Sequence, residues 1–240
     1  MPVNVMYEHR IPAAMGRTFT RSNLLRAGRR WHERNGVDGF YTYLVLADRA
    51  MSIEEKVWSI RTFLDEWDAF YYIDRRKGLD VIEERLPSFL KSNSRRLKAL
   101  GRYQLWALDE SHLTLVKRLA EDLGDLLQFK GRDHPTAMGK LLHALMPSTV
   151  MLWDSEIIRK GYGLSDTVDD YLAYNRWARQ LSMHLSAGFG TSRLRAIEAA
   201  HARIAGVHEP LAKIIDELAY SSRLRNRAVS EIGSPTSFRD

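Results

Sequence analysis

Apolar side chains return every three or four residues along almost all of this chain, and that period admits few folds. Val57, Trp58, Ile60, Phe63, Leu64, Trp67 and Phe70 follow it, as do Leu113, Leu115, Leu119, Leu123 and Leu126. A helix of 3.6 residues per turn gathers such positions on one side, whereas a strand needs strict alternation. Tyr41-Thr42-Tyr43-Leu44-Val45-Leu46 is the best strand candidate, but its alternation is poor and it too reads as helix. Helix starts and stops agree with the period. Ser52 can cap a helix with Glu54 and Glu55 in its first turn, Asp109 or Ser111 can cap the next clear one, and Pro135 suits a first helical position. The expected helices run over 19–34, 41–46, 52–77 (closed by the basic Arg75-Arg76-Lys77-Gly78), 79–91, 93–100, 111–128, 135–146, 155–160, 166–186, 192–205 and 209–226. The fold class is therefore all-α: a two-lobed helical globule, with 1–110 and 111–240 as lobes of one intimate unit.

Charge narrows the partners. Lys and Arg number 36 against 30 for Asp and Glu, a formal +6 with a pI near 9.5. Such a balance favours a polyanion, nucleic acid first and an anionic membrane surface second, although charge speaks for affinity rather than for a reaction. The basic doublets Arg29-Arg30, Arg95-Arg96 and Lys117-Arg118 are spread out, as solvated helix faces usually are. With no cysteine, disulfides, thiolate zinc sites, iron–sulfur clusters and cysteine nucleophiles are all excluded. The eight histidines include no His-x-x-x-His pair, so no metal and no cofactor is expected. Phosphate-binding Gly-x-x-x-x-Gly-Lys loops and Gly-x-Ser-x-Gly elbows are also missing. No apolar h-region opens the chain and no stretch approaches about 18 apolar residues, so a cytoplasmic protein that does not span a membrane is expected.

One stretch carries chemistry. The helix Lys140-Leu141-Leu142-His143-Ala144-Leu145-Met146 breaks at Pro147, and an uncharged run, Ser148-Thr149-Val150-Met151-Leu152-Trp153, then leads directly into Asp154. A carboxylate after such a run reads either as the cap of the next helix or as a catalytic acid in a poorly solvated site, where an ion is worth more than in water. Breaking an N-glycosidic bond builds oxocarbenium character on the sugar, which an adjacent carboxylate can stabilise while it orients a water.

Thr136-Ala137-Met138-Gly139-Lys140 followed by Leu152-Trp153-Asp154-Ser155 resembles the helix-hairpin-helix DNA glycosylase superfamily over roughly residues 111–175. There a hairpin ending in Gly-x-Lys or Gly-x-Ser enters a helix, and a catalytic aspartate follows in a Val-Asp-Thr-like motif. The resemblance implies a two-lobed helical fold with a helix-hairpin-helix-like element, double-stranded DNA as partner, no cofactor, Asp154 as catalytic carboxylate and Lys140 in the place of the amine nucleophile. Its site would include Trp153, His143, Tyr41 and Tyr43 at the pocket for a flipped base, and Arg29, Arg30, Arg132 and Gly139 on the DNA side. Trp31, Trp58 and Trp67 are further candidates for stacking. A narrower implication is phage defence, with bulky modified cytosines such as glucosylated hydroxymethylcytosine as the excised base. Two other readings stay open at this point. One is a HEPN-like helical ribonuclease, since Arg179 and His184 fit an Arg-x4-His spacing on one helix; the other is a helical module that binds nucleic acid without catalysis.

Overall fold

A computed structural model describes residues 20–35, 39–67, 69, 75–127, 135–154, 165, 167–186 and 190–221. Among the described residues lie nine α-helices, one 3-10 turn and no strand. The helices are α1 (Arg21–Asn35), α2 (Tyr41–Arg49), α3 (Ile53–Glu66), α4 (Arg75–Leu100), α5 (Glu110–Leu126), α6 (Pro135–Leu145), α7 (Val168–Ser186), α8 (Gly190–Ala205) and α9 (Leu211–Ser221), with the turn Leu105–Ala107 between α4 and α5. The chain is all-α, as the periodicity implies, and Tyr41–Arg49 is helical.

The caps explain the starts. Ser52 Oγ accepts the Glu55 amide at 3.1 Å while the Glu55 carboxylate accepts the Ser52 amide at 3.2 Å, closing a capping box on α3. Asp109, not Ser111, plays that part for α5, accepting from the His112 amide at 2.9 Å. At the start of α7 the Thr167 hydroxyl accepts the Asp170 amide at 3.1 Å and donates to the Asp170 carboxylate at 3.0 Å.

Two boundaries differ from the sequence expectation. Arg75-Arg76-Lys77 opens α4 instead of closing the preceding helix: α3 stops at Glu66, and Arg75 reaches back to pair with Asp65. The expected helices 79–91 and 93–100 are one helix that runs through Pro87. Proline removes one backbone donor there, but Leu79, Ile82, Leu86, Phe89, Leu90 and Leu100 stay buried along one face, and this burial outweighs the local preference. The expected helix 155–160 lies outside the described residues, and residues 136–140, the stretch matched to the end of a hairpin, lie within the continuous helix α6.

Packing brings distant segments together. α2 lies on α3, α3 on α4 and α6, and α5 on α4, α6 and α7, while α1 packs against α8 and α9 from the far end of the sequence. Buried apolar residues from Leu24 to Leu218 form a single core cluster. No helix among the described residues is long and apolar enough to cross a membrane.

Candidate functional site

The uncharged run between α6 and Asp154 crosses the interior. Val150, Met151, Leu152 and Trp153 are buried, and none of them is helical. A buried, irregular backbone must find partners for its amides and carbonyls, and side chains supply them. Tyr171 donates its hydroxyl to the Met151 carbonyl at 2.9 Å, Asn175 Oδ1 accepts the Met151 amide at 2.9 Å, and Thr149 donates to the Tyr103 carbonyl at 2.7 Å. The Val150 carbonyl accepts from His143 Nδ1 at 2.9 Å, and Tyr41 donates to Nε2 of the same ring at 2.8 Å, which fixes the neutral tautomer. Burial, with Lys213 adding to it, pushes His143 down to about 3. The run is uncharged because it has no solvent to face.

At its end Asp154 enters a cavity of about 30 Å³ that it shares with Lys140, Lys213, Asp216, Trp31, Trp67, Leu152 and Trp153. The two residues that the resemblance singles out therefore line one space, reached from opposite ends of the buried run. Gly139 makes this possible. It lies inside α6, not at its mouth, and a Cβ there would sit 2.1 Å from Trp153 Cβ, so only glycine lets α6 lie flat on the run.

Four ionisable groups and three indoles meet in this cavity. Lys140 is buried; its Nζ donates to the Trp67 carbonyl at 2.9 Å and lies 4.9 Å from the Trp67 ring centre. Lys213, on α9, is only 1% exposed, with Nζ 4.5 Å from the Trp31 ring centre and 5.7 Å from that of Trp67. Asp216, one turn on, is pushed up to about 7 by burial, helped by the nearby Asp154 and Glu217 carboxylates and opposed by Lys213 and Lys140. Its Oδ1 is buried without a hydrogen bond. Asp154 itself is half-buried. A carboxyl raised in this way beside a second one is the arrangement from which acid–base pairs are built.

The other expected site residues are dispersed. Trp153 lines the cavity, but His143 and Tyr41 are joined to each other beside it and act as a brace. Tyr43 is half-buried on α2 against Trp58, with ring centres 6.0 Å apart. Arg29 and Arg30 are exposed on α1, whereas Gly139 is buried and presents no backbone to a phosphate. Arg132 lies outside the described residues. Arg179 is half-buried and His184 exposed on α7, and five residues of helix set them about 140° apart.

Sequence reasoning missed Lys213 and Asp216. Their signal is faint: Glu209, Lys213, Asp216 and Glu217 follow helical spacing, which reads as a solvated face, yet α9 is buried on every side from Leu211 to Leu218. A second concavity, a groove of about 970 Å³, is also missed. Arg49, Lys56, Lys91, Lys98 and Arg102 line it together with Asp48 and Tyr41. Tyr41 adjoins both spaces, its ring centre 5.8 Å from Lys213 Nζ.

No protein-family model, no curated protein and no solved structure matches the chain.

Proposed function

We propose that this chain is a DNA N-glycosylase that flips a damaged or modified base out of the duplex and cleaves its bond to the sugar. The observation that carries the reading is the convergence of Lys140 and Asp154 on one indole-walled cavity. Phosphates would follow the basic groove, with five cationic side chains against one acid among the residues named above. A base arriving at the cavity would stack on Trp31 or Trp67. As it stands the cavity has room for about two waters, so base entry requires these indoles to part.

Asp154 would then face the anomeric carbon. At about 4 Å a carboxylate and an oxocarbenium ion attract by roughly 4 kcal/mol at an effective dielectric near 20, against about 1 kcal/mol in water. Lys140 would attack the anomeric carbon as an amine while the base leaves with the bonding pair, giving a Schiff base that leads to strand cleavage by elimination, or it would hold the flipped nucleotide while water attacks that carbon and the base leaves. Its burial favours a role inside the cavity over a surface phosphate contact. Bulky modified cytosines of phage DNA, glucosylated hydroxymethylcytosine above all, are the narrower substrate class we propose.

Duplexes carrying damaged bases, and phage DNA carrying glucosylated hydroxymethylcytosine, test the reading. Incubation with the chain should release free base and leave alkali-labile sites, and Asp154→Asn should reduce release by at least 10²–10³-fold. Borohydride should trap a covalent adduct that Lys140→Gln lacks if the lysine is the nucleophile. Release from no substrate, or full activity in the Asn form, would refute the glycosylase. RNA cleavage lost in His184→Ala would point to the ribonuclease, and tight DNA binding without any product to a non-catalytic module.

A further inference from the structure

Behind the cavity, on the other side of Lys213, four buried side chains meet that the glycosylase reading does not use. His32 comes from α1, His201 from α8, Glu209 from the segment before α9, and Glu217 from α9. One donor atom from each lies within 4.8 Å of all the others. We propose that they form a closed binding site for a divalent transition-metal ion, zinc by donor type, which ties the first described helix to the last two.

The spacing of the donors supports this. His32 Nε2 is 3.5 Å from both Glu209 Oε2 and Glu217 Oε1, and His201 Nδ1 is 3.3 Å from Glu209 Oε2. These separations are too long for good N–H···O bonds, which cluster near 2.9–3.0 Å. These three match edges of a tetrahedron whose centre is about 2.0–2.2 Å from each corner, the bond lengths of zinc to imidazole and carboxylate, for which edges of roughly 3.3–3.6 Å follow, and the other donor pairs, within 4.8 Å, would draw in around an ion. One contact in the group is short, between His201 Nε2 and Glu217 Oε2 at 2.7 Å. If Nε2 carries the proton and donates it there, Nδ1 turns its lone pair towards Glu209. A ligating imidazole commonly has its other nitrogen held by a carboxylate in this way.

Two further observations point into the same space. His201 Nδ1 and Glu217 Oε1 are fully buried and make no hydrogen bond. Glu209 and Glu217 are both 0% exposed, and two buried carboxylates are costly without cations close by. Lys213 Nζ lies 3.5 Å from Glu217 Oε1, but it also faces the Trp31 ring. A divalent ion would balance both carboxylates.

The fold makes room for the group. A Cβ on Gly28 would lie 2.2 Å from His201 Nε2 and 3.3 Å from Glu217 Oε2, so α1 passes over the His201–Glu217 bond at a residue with no side chain. His32 follows Gly28 by one turn on the same face and is thereby delivered to the cluster. With four protein donors and no position left open for water, the set suits a structural ion rather than one that activates water.

The experiment measures metal on the whole chain and does not depend on DNA chemistry. Protein stripped with chelator should take up one Zn²⁺ per chain, and Co²⁺ in its place should give the visible absorption of a tetrahedral site. The thermal midpoint should fall by several degrees on stripping and recover with Zn²⁺. His32→Asn and Glu209→Gln should each lower Zn²⁺ affinity at least tenfold, while His184→Asn, at an exposed histidine, should retain it. If the first two variants fail to fold, the stripped wild-type chain still decides. No Zn²⁺ uptake, no Co²⁺ spectrum and an unchanged midpoint would reduce the cluster to histidines and glutamates sharing protons, and uptake that survives both substitutions would place the ion elsewhere. Either result overturns the proposal.

Discussion

Asp154 follows the buried run and His143 braces it from α6 through the Val150 carbonyl, and substitutions at each read out different physics. Asp154→Asn preserves shape and can still accept a hydrogen bond, so base release should disappear with a stability change within about 1 kcal/mol, read by chemical denaturation beside the activity assay. A large loss of stability would instead mark Asp154 as a structural ion partner. His143 reports through pH. Its folded pKa of about 3 lies below the ordinary 6.5, so the unfolded chain binds the proton more readily. The neutral ring's contribution is complete above about pH 6.5 and is lost as pH falls towards 3. His143→Asn keeps a donor for Val150 and drops the titration. The wild-type chain should be the more stable of the two at pH 8, and the difference should shrink by on the order of 3 kcal/mol by pH 4. A difference independent of pH would mean that the ring is not held neutral.

Helices α6 and α9 show what the sequence discloses and what it withholds. The apolar period of α6 and its start at Pro135 are plain in the sequence, and so is the suspicion that falls on Lys140 and Asp154. Their convergence is not, because it depends on Gly139 pressing against Trp153, a contact between a helix and an extended strap that no period encodes. α9 is harder still. Lys213, Asp216 and Glu217 look like the wet face of an amphipathic helix, and they are buried because segments distant in sequence lie on them, among them α1, over 170 residues earlier. His32 and His201 are likewise too far apart for local ligand spacing to reveal. Gly139→Ala tests the strap. The added methyl meets a Cβ held by the Trp153 backbone, so the helix and the run must separate, which should cost at least about 2 kcal/mol on denaturation and reduce base release with it. An alanine form as stable and active as the wild-type chain would mean that α6 and the run do not touch so closely.

Across the whole molecule, the excess of positive charge is not spread evenly over function. Arg29 and Arg30 project from α1, whereas Arg49, Lys56, Lys91, Lys98 and Arg102 border one groove whose wall includes Tyr41, beside the Lys213 end of the cavity. If the groove holds the phosphate backbone, each cation bound to a phosphate displaces condensed counterions, and the logarithm of the binding constant falls with the logarithm of salt concentration by about 0.9 per contact. Lys91→Gln with Lys98→Gln should then lower the magnitude of that slope by about 1.8, weaken duplex binding alike for every sequence, and leave the thermal midpoint almost unchanged, since both side chains are exposed. Fluorescence anisotropy of a labelled duplex over a salt series, in an Asp154→Asn background so that no substrate is consumed, gives the slope directly. Arg29→Gln with Arg30→Gln is the matched comparison on the other surface. A slope that drops only in the second pair would move the DNA from the groove to α1, and with it the side from which a flipped base must approach Asp154.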